Sequence, residues 1–482
     1  MSASPLSSTA RASDLPLVVD LDGTLLRSDL LIETFVAALA RRPLAALRAL
    51  AALARGKAAL KSRLAQETVL DIARLPWHAG LLHRLRLERE AGRKIYLASA
   101  SNRTLVDAVA AELGLFDGVF ASDERTNLKG PEKAALLRRE FGPGGFDYVG
   151  NESADFAVWA DAARVIVAGG SPGLVRAVKR RWPDADLIET EPGGAADYLK
   201  ALRPHQWLKN LLLFVPVLAA HETAAGVWGT TLLAFVSFCL CASSAYCLND
   251  LIDVGRDRSH PTKRARPLAA GRIPLLGAFW LCLASLAGSL ALATLVGPPF
   301  AAALAAYGVS TVAYSLWLKR LMMIDVVTLG CLYGLRLVAG SAAALVPLSS
   351  WLAAFALFLF CSLAIVKRLT ELISRSADGQ IEESGRGYSL QDLPVLQALA
   401  AASGFTAILV LALYLNSPAV AALYQTPDRL WLLCVVLIYW IGRVLILTHR
   451  GEMHDDPVVF AATDRASLIC CALATAIVLA SL

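Results

Sequence analysis

The sequence predicts a two-domain chain: an N-terminal α/β domain on a parallel sheet with a small helical cap, then an all-α bundle of nine membrane-crossing helices. Three observations predict it. The 482 residues are 56% hydrophobic and only 18% charged, outside the range of an ordinary soluble protein. The excess lies in residues 205–482, where long apolar runs recur, whereas residues 1–200 alternate charged and apolar stretches. Within that first part, short apolar strands ending in aspartates, a hydroxyl residue and an acidic loop alternate with helical stretches, the order expected of a parallel sheet.

The first residues, MSASPLSSTARASD, are rich in Ser and Ala and lack an apolar core. Residues 1–15 are expected to be disordered and not a secretory signal, so the first domain is expected to stay in the cytoplasm. All nine cysteines fall in the apolar half, from Cys239 to Cys471, at spacings that fit no zinc site; they read as small core residues. The net charge of +6 reads as membrane topology bias, and no basic stripe interleaved with aromatics suggests nucleic acid.

By the ~20-residue length of a bilayer span, helices are expected near 209–221, 228–248, 275–295, 299–318, 324–345, 350–366, 396–416, 429–448 and 465–482. With the N-terminus inside, the inner connections hold thirteen Lys or Arg, from Arg256 to Arg450 and including Arg375 and Arg386, and the outer connections none, with Arg429 at one outer edge. This is the positive-inside pattern of a multi-pass protein, expected in a bacterial inner (plasma) membrane.

The second span runs into Asn249-Asp250-Leu251-Ile252-Asp253-Val254-Gly255-Arg256-Asp257. On a helix Asp250, Asp253 and Asp257 share one face, and such crowding at a membrane boundary is costly unless a cation offsets it. Oxygen donors favour Mg2+ or Ca2+, and Mg2+ commonly shares its shell with substrate phosphates. Arg258, His260, Lys263, Arg264 and Arg266 follow. His260 reads as a loop residue. Carboxylates for metal beside cations for phosphate oxygens suit a diphosphate-bearing donor.

The pattern NDxxDxxxD followed by HPxKxxRP resembles the UbiA superfamily of membrane prenyltransferases, over roughly residues 203–482. Further stretches are similar to its decaprenyl-phosphate phosphoribosyltransferase branch: Arg203-Pro204-His205-Gln206-Trp207-Leu208-Lys209-Asn210, Tyr314 to Lys319 with Asp325-Val326, Lys367-Arg368-Leu369-Thr370-Glu371-Leu372, and Arg386-Gly387-Tyr388. The aromatic prenyltransferases carry a second acidic motif where this chain has Lys367, Arg368 and a single Glu371. One acidic and one basic motif suit a donor with a diphosphate at one end and a phosphate at the other, as in phosphoribosyl diphosphate.

The resemblance thus implies that Asp250, Asp253 and Asp257 hold Mg2+ on the donor, assisted by Asn249, and that Lys263 and Arg266 stabilise the departing diphosphate. Arg203, Lys209, Lys319, Arg336, Lys367, Arg368 and Tyr388 are candidate contacts for the donor 5-phosphate and the polyprenyl phosphate. Two readings stay open for Arg336: phosphate contact, or a pair with Asp325 inside the bundle. Tyr314 and Tyr388 also read as interfacial aromatics. Prenylation of another acceptor from a prenyl diphosphate, and a transporter or scaffold with a regulatory domain, are the competing functions. The missing second acidic motif speaks against the first of these, and the loop position of the charges against the second.

In the N-terminal part, Leu17-Val18-Val19-Asp20-Leu21-Asp22-Gly23-Thr24 is a strand tip carrying DxDGT. It resembles the haloacid dehalogenase (HAD) superfamily over about residues 16–185, a Rossmannoid fold with a cap, here about 29–90. The resemblance makes Asp20 the nucleophile and Asp22 the acid and base. Ser99 and Lys133 hold the phosphoryl group, and Asp155 joins Asp20 and Asp22 at Mg2+. Asn151 stands where that family usually has aspartate, which is expected to weaken the metal site. The domain either hydrolyses a phosphate ester or binds one, and the 5-phosphate of the product lipid is the candidate substrate. The expected bounds are 16–190 for this domain, 191–202 for a linker and 203–482 for the transferase. Residues 34–65 read as a basic amphipathic helical stretch, either a cap packed on the core or a helix lying on anionic headgroups.

Overall fold

Strand β1 (Leu17–Asp20) lies inside a six-stranded sheet of order β3-β2-β1-β4-β5-β6 in the computed structural model, which describes residues 14–68, 70–123, 127–189, 193–377, 387–453 and 456–482. The expected disordered segment 1–15 therefore falls almost wholly outside the described residues, as do Arg386 and residues 191–192 of the expected linker. The other strands are β2 (Ile95–Asn102), β3 (Gly118–Ser122), β4 (Asp147–Gly150), β5 (Arg164–Ala168) and β6 (Asp186–Ile188). All pairs are parallel, as the strand–helix alternation predicts.

The helices of this half are α1 (Leu30–Arg41), α2 (Pro43–Ala49), α3 (Lys57–Glu67), α4 (Ala79–Glu90), α5 (Arg103–Leu113), α6 (Pro131–Phe141), α7 (Phe156–Trp159), α8 (Pro172–Arg181) and α9 (Ala195–Ala201). Because strand side chains alternate between faces, Leu17, Val19, Leu97 and Ile166 enter one core with Leu81 and Leu85 of α4. Val18, Ala98, Tyr148 and Val167 enter the other with Leu137 and Trp159. Helix α4 thus belongs to the sheet, and the insert proper has its own small core of Ala38, Ala46, Ala49, Leu60 and Leu64. The stretch 34–65 is not one helix. It breaks at Arg42–Pro43 and again at Gly56, whose φ of +103° only glycine adopts at low cost.

Among the described residues seven helices are long and apolar enough to cross a membrane: 225–252, 275–296, 298–316, 324–344, 350–374, 390–415 and 427–449. The chain is an integral membrane protein. With the bent C-terminal pair taken as one span the number rises to eight, so the expected count of nine is not reached among the described residues. The first expected span is a 3-10 segment, Pro204–Phe214, followed by a five-residue helix, Val215–Ala219, too short to cross. Its Leu213 and Val217 are fully buried, and a Cβ on Gly340 would lie 2.1 Å from the Leu213 carbonyl oxygen, so glycine lets the segment pack against the 324–344 helix. The last expected span is one arm of a pair, Pro457–Thr463 and Arg465–Ser481, bent by 77°. Asp464 makes the break by capping the second arm through the Ser467 N–H and binding Arg443 at 2.7 and 3.0 Å.

The chain divides into two compact units, one of residues up to Ala201 with Cys247–Leu281, the other of Leu202–Tyr246 with Cys282–Leu482. The acidic stretch 249–257 is part of the first.

Candidate active sites

The tips of β1, β2 and β4 bring together the residues picked out in the N-terminal half. The Lys133 ammonium, delivered by the first turn of α6, bonds Asp20 at 2.6 Å and the Tyr148 hydroxyl at 3.1 Å. Thr24 donates to Asp20 at 2.9 Å. Asp22 accepts from the Leu30 N–H at 2.8 Å, Ser101 at 2.7 Å and Ser99 at 3.1 Å. Asp155 accepts from the Tyr148 hydroxyl and from the Asn151 and Glu152 N–H groups, each at 2.9 Å. Ser99 therefore orients Asp22, and Ser101, Thr24 and Tyr148 were not singled out from sequence. Thr24 sits in the DxDGT motif and Ser101 two residues past Ser99, so local spacing held a signal for both.

Burial raises the carboxyl pKa of Asp20 against the pull of Lys133, and raises that of Asp22 with help from the Asp29 charge. Burial and then the Asp20 charge push Asp155 up to about 6. Burial is the main reason that all three acids resist ionisation, and neighbouring carboxylate charges add to it while Lys133 opposes it at Asp20 and Asp155. Asn151 does not leave its place empty: its Oδ1 accepts from Thr24 at 3.1 Å. Its amide also lies over Gly23, where a Cβ would sit 2.4 Å from Nδ2 and φ is +77°.

The second acidic group forms where the 225–252 helix ends. Asp250 and Asp257 are both buried and converge on one guanidinium, with Arg266 at 3.3 Å from Asp250 and 2.5 Å from Asp257. Burial raises the Asp257 pKa against the opposing charge of Arg266. The expected unbroken face of three carboxylates is interrupted. The helix stops at Ile252, Asp253 stands at the start of a separate short helix, Val254–Ser259, without a side-chain capping bond, and its carboxylate lies 3.8 Å from Arg256. Asn249 and Lys263 are half-buried nearby in sequence, and the Lys263 charge is felt at Asp257. Among the described residues no group of three or more His, Cys, Asp or Glu side chains is arranged to hold a metal ion; each acidic set instead closes around a cation of the chain.

The second unit holds two further polar clusters. Buried Lys209 pairs with Asp456, whose carboxyl stays at about 2 because Lys209 and then Lys367 outweigh the upward push of burial. Asp456 was missed, although Asp456-Pro457 is a helix-start signal and its side chain does cap that helix. Asp325 accepts from Tyr388 at 2.6 Å and lies 3.4 Å from Arg368, which also pairs with Glu371. Tyr388 is therefore buried and bonded, not an interfacial aromatic, and burial with its bond to Asp325 raises its pKa.

Arg336 does not pair with Asp325. It lies eleven residues further along the same helix (336 minus 325), about 16 Å at 1.5 Å per residue. It bonds Asn210 at 3.0 Å, Tyr307 at 3.2 Å and the Leu332 carbonyl at 2.6 Å, and faces the rings of Phe238, Tyr307 and Tyr333. Lys319 is buried in a short turn after the 298–316 helix, and Arg203, with φ +52°, lies over the Tyr246 ring at 5.6 Å.

Comparison with known proteins identifies the families of the two halves. The UbiA prenyltransferase family model matches residues 210–477, and that of the haloacid dehalogenase-like hydrolases matches 17–158. An uncharacterized protein of Sinorhizobium fredii, y4nM, is 36% identical over 94% of this chain and 88% of its own length. The decaprenyl-phosphate phosphoribosyltransferase of Mycolicibacterium smegmatis is 38% identical over 42% of this chain and 66% of that protein. A UbiA homolog from Archaeoglobus fulgidus, solved with GPP and Mg2+, is 19% identical with a TM-score of 0.43, covering 58% of this chain and 99% of that one. This chain belongs to the UbiA prenyltransferase family, as a transferase carrying a haloacid dehalogenase-like hydrolase domain at its N-terminus.

Proposed function

We propose that the membrane half transfers the phosphoribosyl group of phosphoribosyl diphosphate to a polyprenyl (decaprenyl) phosphate, and that the N-terminal domain then removes the 5-phosphate of the product. The observation that carries the reading is the character of the bundle's interior: Lys209, Lys319, Arg336 and Arg368 are buried there with Asp325 and Asp456. Such an interior suits a donor and an acceptor that each bring a phosphate. The 38% identity to a decaprenyl-phosphate phosphoribosyltransferase supports the choice of donor.

Asp250 and Asp257, with Asp253 and Asn249, are the residues that would hold Mg2+ on the donor diphosphate. Their donor atoms are all oxygens, which suits that ion. When bound it offsets negative charge on the diphosphate. Arg266 and Lys263 stabilise the departing group. An acceptor phosphate oxygen attacks the anomeric carbon, and the carbon–oxygen bond to diphosphate breaks with its electron pair leaving on the diphosphate. The acceptor is already an anion, so no strong base is needed and positioning does most of the work. Lys209, Lys367, Arg336, Arg368, Lys319, Arg203 and Tyr388 bind the two remaining phosphates.

In the hydrolase domain the Asp20 carboxylate attacks the phosphorus, and Asp22 protonates the leaving oxygen. Asp22 then takes a proton from the water that releases phosphate from Asp20. Ser99 and Ser101 hold Asp22 in place, and Lys133 with Thr24 holds Asp20. Asp20, Asp22 and Asp155, an all-oxygen set, would hold Mg2+ there. The positive-inside bias supports a hydrolase domain on the cytoplasmic side, and the bacterial source of the relatives supports an inner (plasma) membrane location for the bundle.

Incubating membranes containing the protein with ribose-labelled phosphoribosyl diphosphate and decaprenyl phosphate tests the transfer: label is expected in the lipid phase. Label entering lipid only from a prenyl diphosphate would establish the prenyltransferase reading instead.

A further inference from the structure

Arg258 opens the basic run that follows the acidic motif, yet its guanidinium is turned away from phosphate chemistry. Both terminal nitrogens bond the Glu33 carboxylate, at 2.9 and 2.8 Å, and Nε donates to the Ala269 carbonyl at 3.2 Å. The Arg258 and Glu33 side chains are 7% and 2% exposed. A buried two-point arginine–carboxylate pair fixes orientation as well as distance, which a lysine or a surface pair does not.

Glu33 lies in the first turn of α1, in the hydrolase domain. Three residues earlier the same helix donates its Leu30 N–H to Asp22. On the other side Arg258 is bonded in sequence to Asp257, which shares Arg266 with Asp250. The stretch 254–272 is also held by Arg74 on Ser259 and by Arg272 on Asp197 at 3.0 Å, and Gly271 meets Pro76, where a Cβ would lie 2.7 Å from the ring. Only the Glu33 contact is both buried and directional.

We propose that Glu33 of the hydrolase domain is a positioning residue for the transferase: by fixing Arg258 it sets the backbone that presents Asp257 to Arg266 and Asp250. The transferase's acidic motif is therefore completed by a residue that the bundle does not contain. The role holds whichever activated donor the transferase takes.

The experiment compares the full-length wild type with E33Q, R258Q, the double variant E33Q/R258Q and E33D, all in lipid nanodiscs. Hydrogen exchange over residues 254–272 is read in metal-free protein, and KM for the donor is read apart from kcat. E33Q and R258Q are each expected to speed exchange in that stretch and raise the donor KM about tenfold, with the double variant no worse than the poorer single. E33D keeps the charge beside Arg258 but shortens its reach, and is expected to raise KM with an unchanged melting temperature. Wild-type exchange and KM in E33Q overturn the proposal. Single effects that multiply in the double variant overturn it too, as does a wild-type KM in E33D beside an unfolded E33Q. If the wild type transfers nothing from phosphoribosyl diphosphate, the donor reading fails, and the exchange data still decide the role of Glu33.

Discussion

Two carboxylate groups in this protein each close around one cation, and they differ in how firmly that cation is held. Lys133 is 5% exposed, arrives on a helix packed beneath the sheet and bonds Asp20 and Tyr148 at once. Arg266 is 30% exposed and comes from an irregular stretch past a short turn. The buried lysine is held by two partners, whereas the arginine shared by Asp250 and Asp257 is partly open to solvent. The first arrangement suits chemistry on a fixed nucleophile, the second a site that opens for a charged donor.

That contrast breaks most readily at the acids. Asp20→Asn is expected to lower phosphate release by about a thousandfold or more while leaving transfer to lipid intact. Asp250→Asn is expected to do the reverse on a similar scale. Measuring both products in both variants checks this, and loss of both activities in either variant would show that the two groups do not work separately. A smaller effect is expected inside the bundle. Asp456→Asn strands the buried Lys209 charge, at a cost of about 3–5 kcal/mol, read as a fall in the midpoint of detergent-resistant unfolding.

Asn151→Asp sharpens the comparison further by adding a charged donor to the fixed site. About tenfold tighter activation by Mg2+, or about 1.4 kcal/mol, is expected in phosphate-release assays, with no change in transfer. The smallest effect is that of pH. Asp155 binds its proton up to about pH 6 in the folded protein, above the ordinary carboxyl value near 4. Between those values the folded state holds more protons than the unfolded one, so Asp155 makes the metal-free domain less stable as pH rises from about 4 to 6. For Mg2+ the sign is opposite: protons compete for Asp155, and half-saturation should need more Mg2+ as pH falls through about 6. A titration of phosphate release against Mg2+ at pH 5.5 and 7.5 reads the shift.

The hydrolase site was largely legible because β1, β2 and β4 place their last residues at one sheet edge. DxDGT, Ser99, Lys133 and Asp155 could be placed by counting strands. The transferase site was less so. Helical spacing puts Asp250, Asp253 and Asp257 on one face, but the helix ends at Ile252, and spacing carries no information about where a helix stops. Asp456 lies 247 residues from Lys209 (456 minus 209), and no local pattern links them. The proposed Arg336–Asp325 pair, in contrast, was excludable from sequence, since eleven residues of helix separate the two.

The sequence by itself determined the division into a parallel-sheet domain and an apolar bundle and the residue types of both acidic groups, because these follow from short periods and local spacing. Only the tertiary structure decided the partners: Lys133 with Asp20, Arg266 with Asp250 and Asp257, Arg258 with Glu33, Lys209 with Asp456. It also decided that both ends of the bundle are broken segments rather than single straight helices. Charge pairing in a buried site depends on distances between segments far apart in the chain, and those are set by packing.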